Sequence, residues 1–554
     1  MSQRRMAGQP VMIMGEEAQQ LRDRDAQEHN ISAARAVAEA VRTTLGPKGM
    51  DKMLVDSTGD VTVTNDGVTI LNEMDIDNPT AEMIVEVART QEDEAGDGTT
   101  TAVAVAGELL KQAQDLVEQD VHPTTIVRGF TDASEVARSE IEEVSTPVDG
   151  DEALLRAVAE TAMTGKGAEA NKEILADIVV EAVETMTVAA DDGSTIVDLA
   201  FIESGTEIGP PVEESELIDG AVIDKDPVHP DMPTEVDDAR VLLTLDPIEA
   251  GEPDVDASVK VTDSSQIDAF LDAEEAELEE KVEFLKELGV DVVIAQKGID
   301  DAAHHYLKEA GILAMRRTKK SDMRFLKEVL GARVVSDLES ATEEDVGRGS
   351  VEYHDDTETF RIEGHGEESH GVTMMLYGST GAVVDEMERG VEDALDVVAT
   401  AAGDGRVVPG GGAVEIEVAR RLRDYADSVE GREQLAVEAF ADALEIVPRT
   451  LAENGGLDAI DTLVDLRSAH DDGAVNAGLD VFTGEVVDSL ETGVVEPTRS
   501  KQQAVASAAE AANLVLKIDD ILDAGEGDDD EGGPGGPGGA PGGMGGMGGM
   551  GGAM

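Results

Sequence analysis

The residues best suited to chemistry stand together in Gly96-Asp97-Gly98-Thr99-Thr100-Thr101, where a long helical pattern begins. Two glycines let the backbone approach a ligand closely. Three successive threonines offer hydroxyls and N–H groups at a helix N-terminus, which with the helix dipole favours an anion such as phosphate. Asp97 is the residue type that holds Mg²⁺ beside phosphate oxygens. The same six residues also suit a plain capped helix start, and local chemistry does not choose between the two.

Four other features invite the same question. Thr44-Leu45-Gly46-Pro47-Lys48-Gly49 is a glycine-bearing turn that either lies along a nucleotide or is structural. Asp66, in Asn65-Asp66-Gly67, has the usual place of a turn aspartate. Lys166, in Thr164-Gly165-Lys166-Gly167, stands out because lysine supplies only 16 of the 42 cations; it either reaches a terminal phosphate or is a loop lysine. Asp393 points off the apolar face marked by Val391 and Leu395, the default place for a helix aspartate in so acidic a chain. There is no G-x-x-x-x-G-K-[ST], and outside the Gly-rich C-terminus no G-x-G-x-x-G, so the usual phosphate loops are excluded. No H-E-x-x-H, G-x-S-x-G or cysteine occurs, so neither a zinc site nor a hydrolase triad is expected.

The elements that must position these residues follow from periodicity. A helix is expected over 31–42 and another from 101 to about 119, where Val103, Ala106, Leu109, Leu110 and Ala113 share a face. Two short strands, 61–64 and 68–71, are expected around Asn65-Asp66-Gly67 as a hairpin. Helices run to about 188, then strands at 195–202 and 241–245. The clearest helix is 265–288, with Ile267, Phe270, Leu271, Leu278, Val282, Leu285 and Leu288 on one stripe. Strand and helix then alternate to 335, the pattern of an α/β unit. Helices return over 380–525, and Gly410-Gly411-Gly412 opens one of them. The plan is a helical module, an α/β insertion and a second helical module.

Composition narrows the classes. The 554 residues carry 42 Lys+Arg against 121 Asp+Glu, a net charge of −79, which excludes binding to nucleic-acid phosphates or to an anionic membrane. With 41% hydrophobic residues in periodic order, the chain folds rather than staying disordered. At about 0.15 M salt the Debye length is about 8 Å and neighbouring carboxylates repel; at about 1 M it is about 3 Å. Such a chain suits a very salty cytoplasm. No apolar run reaches the ~18 residues of a membrane span. Residues 525–554, an acidic run followed by Gly-Gly-Pro and Gly-Gly-Met repeats, are expected to be a flexible tail.

Several motifs occur together in one order. Thr44-Leu45-Gly46-Pro47-Lys48-Gly49-Met50-Asp51-Lys52 precedes Val63-Thr64-Asn65-Asp66-Gly67-Val68-Thr69-Ile70. Then come Asp93-Glu94-Ala95-Gly96-Asp97-Gly98-Thr99-Thr100, Gln296-Lys297-Gly298-Ile299-Asp300-Asp301, Val408-Pro409-Gly410-Gly411-Gly412-Ala413 and the Gly-Gly-Met tail. Over about 16–525 the chain closely resembles a group II chaperonin of the archaeal thermosome type, here from a halophile.

The resemblance implies a multidomain α+β chaperonin fold. A mainly helical equatorial, ATP-binding domain would span 1–150 and 404–525, and a small intermediate hinge domain 151–219 and 370–403. An α/β apical, client-binding domain would span 220–369, with a helical protrusion at about 246–278 as a built-in lid. It implies an ATPase that encloses unfolded proteins in a double-ring cavity in the cytoplasm. ATP and Mg²⁺ are the implied cofactors, with K⁺ a further candidate. The ring is homo- or hetero-oligomeric, with no nucleic acid, membrane or separate co-chaperonin lid. Leu45, Gly46 and Pro47 would line the nucleotide; Asp97 would hold Mg²⁺; Gly98, Thr99, Thr100 and Thr101 would hold the phosphates. Asp66, Asp393 and Lys166 would surround the γ-phosphate, with Asp393 acting on the attacking water. Gly411, Asn476, Ala477 and Glu496 would contact ribose and base. Ile267, Phe270 and Leu271 would serve the lid or clients, with Met323, Leu326 and Leu330 as weaker client contacts.

Overall fold

The structure, a computed structural model, describes residues 20–522 apart from 23, 56–58, 60, 149, 167, 190–194, 251–263, 367–368 and 519. The chain ends, Met1–Gln27 and Ile518–Met554, form a unit of their own, whose described part pairs Gln20–Arg22 antiparallel with Asp520–Leu522. The Gly/Met-rich tail lies outside the described residues.

Within the rest of the chain, buried side chains fall into three clusters. The first draws on both halves of the sequence. Helices Pro79–Ala95, Thr99–Glu118 and Pro123–Val144 pack with Ala413–Ala426, Glu433–Leu444 and Thr498–Leu516. Thr99–Glu118 is buried on nearly every face, the mark of a central helix. Gly107 makes that possible on one side, because a Cβ there would sit 2.4 Å from the Ala38 Cβ. Phe130 and Phe440 meet edge to face at 5.8 Å, closing the core between the two chain halves. Asn78 starts Pro79–Ala95 by accepting from the N–H groups of Thr80 and Ala81, with proline in the first turn.

The second cluster packs helices Glu152–Met163, Lys172–Thr185 and Gly381–Asp404. They lie beside a three-stranded sheet in which Val372–Gly378 pairs parallel to Ile202–Ile208 and antiparallel to Glu216–Asp219. The third is the α/β part. Its seven-stranded sheet runs Leu313–Met315, Val292–Ala295, Glu235–Thr244, Gly347–His354, Thr359–Gly364, Ala221–Asp224, with Val334–Val335 also on Glu235–Thr244. Pairing is parallel where strand and helix alternate and antiparallel in the other half. Val292–Ala295 is buried at all four residues, as a parallel strand covered on both faces must be.

Three expectations need correction. Residues 68–71 are not a strand but part of the helix Gly67–Glu73, because the Asp66 carboxylate accepts from the Thr69 N–H at 2.6 Å and caps it. The hairpin is instead Lys52–Val55 with Val61–Thr64. The strand expected over 195–202 is interrupted by a 3₁₀ turn, Leu199–Phe201, between Thr195–Val197 and Ile202–Ile208. Met323, Leu326 and Leu330 are buried in the third cluster and so are not surface contacts. The helix Ser264–Glu287 forms as expected, with Leu278, Val282 and Leu285 buried. The side chains of Ile267, Phe270 and Leu271, and residues 251–263 of the expected protrusion, lie outside the described residues.

Candidate functional site

A cavity of about 420 Å³ gathers residues from across the chain. One wall is the turn of Thr44, Leu45, Gly46 and Pro47; another is Asn65, Asp66 and Gly67; the floor is Asp97, Gly98, Thr99, Thr100 and Thr101. Thr164, Gly165 and Lys166 and, from late in the chain, Gly411, Asp480, Val481, Phe482, Glu496 and Lys501 complete the lining.

The floor follows from two left-handed glycines. Gly96 (φ +64°) ends one helix and Gly98 (φ +85°) opens the next, so Asp97 sits on a reversal that residues with a Cβ adopt at a cost. No side chain caps the helix at Gly98, which leaves its first-turn N–H groups for a ligand. Gln91, fully buried, donates to the Asp97 carbonyl at 2.6 Å and to the Ser500 carbonyl at 3.2 Å. Gly67 allows the second wall to close in, because a Cβ there would lie 2.5 Å from the Thr100 Oγ1. Gly165 does the same at the end wall, with its missing Cβ 2.5 Å from the Pro47 Cα.

The electrostatics are one-sided. Lys166 Nζ donates to Asp393 Oδ2 at 2.5 Å. Burial works against the Lys166 ammonium, but Asp393, Asp97 and Asp66 outweigh it and raise its pKa. Burial raises the Asp393 carboxyl despite Lys166. Glu92, whose Oε2 takes the Thr99 hydroxyl at 3.5 Å, is pushed up to about 7, first by burial and then by Asp66, Asp393 and Asp97. Carboxylates thus outnumber the lysine, and the place favours a cation. Among the described residues no three carboxylate or histidine groups converge into a cage for one. Mg²⁺ needs only one or two carboxylates beside phosphate oxygens and waters, so Asp97 next to an uncapped helix start fits it.

Elsewhere on the lining, Lys501 Nζ bridges Glu415 Oε1 and Glu496 Oε2, each at 2.7 Å. Burial opposes the Lys501 charge, but the two glutamates prevail and raise its pKa. Lys48 Nζ donates to the Val481 carbonyl at 2.8 Å and lies 5.4 Å from the centre of the Phe482 ring.

The structure brings Leu45, Gly46, Pro47, Asp66, Asp97, Gly98, Thr99, Thr100, Thr101, Lys166, Gly411 and Glu496 onto one cavity. Asp393 stands behind Lys166 rather than on the lining. Asn476 and Ala477 do not line it; Asn476 donates to Asp488, and Ala477 is buried with its carbonyl against His470. Sequence reasoning missed Glu92, Asp480, Phe482 and Lys501. The scarcity that singled out Lys166 also applies to Lys501, one of only two lysines after residue 327.

The TCP-1/cpn60 chaperonin family description matches residues 37–526. The chain belongs to the TCP-1/cpn60 chaperonin family. It is 66% identical to thermosome subunit 2 of Haloferax volcanii, with 96% of each chain covered. It is 63% identical to thermosome subunit beta of Halobacterium salinarum, again with 96% of each covered. Among solved structures it resembles the open-state monomer of a group II chaperonin from Methanococcoides burtonii. There the TM-score is 0.62 and the identity 43%, covering 76% of this chain and all of that one. The protein is therefore a group II chaperonin subunit of a halophile, a molecular chaperone with ATPase activity. Among the described residues of this chaperonin, no helix is long and apolar enough to cross a membrane.

Proposed function

We propose that this cavity is where the chaperonin holds Mg²⁺-ATP and hydrolyses it. The observation that supports this most is the meeting, at one cavity, of the uncapped Gly98 helix start with the Lys166–Asp393 pair. Bound ATP supplies a transferable phosphoryl group. Thr99, Thr100 and Thr101 offer N–H and hydroxyl donors to its oxygens, and Asp97 holds the metal. Lys166 and Asp393 hold each other until a phosphate competes for the ammonium. Asp393 is then free to orient and deprotonate a water, and Asp66, on the cavity lining, would face the terminal phosphate with it. Leu45, Gly46 and Pro47 flank the nucleotide, while Gly411 and Glu496 serve the sugar and base end.

On this reading the first cluster is the equatorial domain, the second the intermediate and the third the apical. Asp393 belongs to the second cluster's helix Gly381–Asp404 and Asp97 precedes the first cluster's central helix, so hydrolysis requires the two parts to be closed together, as they are where Gly96 packs on Asp396. That closure would move the apical part and its lid over an unfolded client. Ring assembly in the cytoplasm is part of the proposal. It is supported by Met53, Val55, Val61 and Val63, which are exposed on the hairpin Lys52–Val55/Val61–Thr64 and suit burial against another subunit. The relatives' designations, subunit 2 and subunit beta, favour rings of more than one kind of subunit.

Asp393→Ala tests the reading. Phosphate release should fall by about 10²–10⁴-fold, the range of a lost general base. ATP affinity in equilibrium titration should stay within about threefold, because Asp393 acts on water and not on bound nucleotide. Unchanged turnover removes Asp393 from the chemistry.

A further inference from the structure

The first turn of the helix Thr498–Leu516 lies against the Asp97 loop and contributes Lys501 to the cavity lining. Ser500 accepts from Gln91 Nε2 through its carbonyl (3.2 Å), and its hydroxyl donates to the Ala95 carbonyl at 3.3 Å. The same Gln91 nitrogen holds the Asp97 carbonyl, so this turn braces the metal end. The next residue, Lys501, lines the cavity itself. Its ammonium is shared by Glu496 and by Glu415, which stands in the first turn of the helix Ala413–Ala426.

This cluster is not a simple ion pair. Lys501 and Glu415 are buried, and one ammonium faces two carboxylates. Glu415 Oε2 is buried with no partner among the described residues. An arrangement that leaves an acceptor unpaired is costly, and replacing such groups by apolar ones is often neutral or better for stability. Stability alone therefore does not account for it. Of the two carboxylates only Glu496 lines the cavity: Lys501 holds its Oε2, and its Oε1 makes no hydrogen bond among the described residues. Gly410 preserves the room around it, since a Cβ there would stand 3.0 Å from Oε1.

We propose that Lys501 is a positioning residue for the nucleotide sugar: it pins Glu496 so that Oε1 accepts from a ribose hydroxyl. Its neighbour Ser500 braces the Asp97 loop, so a single helical turn sets the distance between sugar and metal. This rests on the nucleotide reading above and adds a sugar-selectivity determinant to it.

The experiment uses the full chain in concentrated KCl with Mg²⁺ and measures equilibrium affinities for ATP and for its 2′-deoxy and 3′-deoxy forms. The wild type should prefer ATP to at least one deoxy form by about tenfold, as a site built around a hydroxyl does. Lys501→Met should lose about tenfold in ATP affinity and little for that deoxy form, collapsing the ratio. Lys501→Gln, which keeps a donor without the charge, should fall between and serves if Lys501→Met does not assemble. Gln91→Leu should weaken ATP and its deoxy forms alike and leave the ratio intact, because it acts at the metal end. Equal losses for ATP and the deoxy forms in the Lys501 variants would make the lysine merely structural and overturn the inference. So would a wild type that binds ATP without any sugar preference. A wild type that binds no nucleotide would overturn the site reading as well, which separates the two failures.

Discussion

Glu92 shows how a single side chain reports on its surroundings. In the unfolded chain its carboxyl titrates near its ordinary value of 4.5; in the folded chain it is raised to about 7. A raised folded value means that the protonated form is favoured by folding. The associated stability is complete below about pH 4.5 and is lost as pH rises through about 7. Glu92→Gln, uncharged at every pH, should therefore match the wild type in acid and exceed it in base. Because Glu92 is partly open to solvent, the gain at pH 8.5 should be on the order of 1 kcal/mol, or about 2–4 °C in nucleotide-free thermal melts. A gap that narrows with rising pH would contradict this. The residue was passed over in the sequence because one glutamate among 121 acidic residues carries no local mark. Asp97 was legible because glycines and threonines frame it. Asp393 was legible only through the family resemblance, since its partner Lys166 lies 227 positions away.

Turns and helices decide whether those side chains meet. The turn carrying Lys166 sits directly on the turn carrying Pro47, and Gly165 is the contact point. An added methyl in Gly165→Ala would lie 2.5 Å from the Pro47 Cα and 3.0 Å from its carbonyl oxygen, and φ of +84° is itself unfavourable to alanine. Backbone cannot give way as a side-chain tip can. The variant should keep its helical circular dichroism yet lose about tenfold in ATP affinity, because the end wall lifts away. Full affinity would mean the two turns need not touch. At this scale the long helices were legible, since each has enough turns to show its period. Short elements were not: 68–71 is a run of four apolar or β-branched residues that suits a strand, and one hydrogen bond from the Thr69 N–H to Asp66 made it helical. The parallel half of the large sheet was readable from the alternation of strand and helix, while in its antiparallel half two of the three pairings join residues more than a hundred apart.

For the molecule as a whole, charge sets the conditions of existence. With a net −79, repulsion between carboxylates acts over about 8 Å at about 0.15 M salt and over about 3 Å at about 1 M. The thermal midpoint should climb steeply as KCl rises to about 1 M and then flatten. Dialysis to about 0.1 M should dissociate or unfold the assembled protein, as followed by light scattering. A particle that stays intact there would refute the screening argument. Net charge was plain in the composition; how the chain interleaves its two halves was not, because no local pattern announces a partner four hundred residues away.

That interleaving bears on how the protein is made. The helix Thr498–Leu516 packs on Thr99–Glu118 and Pro123–Val144, and Lys501 completes a cavity whose floor is laid down at Asp97. On a ribosome, the early helices emerge long before their last companion is translated, and they wait with apolar faces bare. The nascent subunit cannot close this core until the helix Thr498–Leu516 has been made. A machine for sheltering unfinished polypeptides is, during its own birth, a polypeptide in need of shelter.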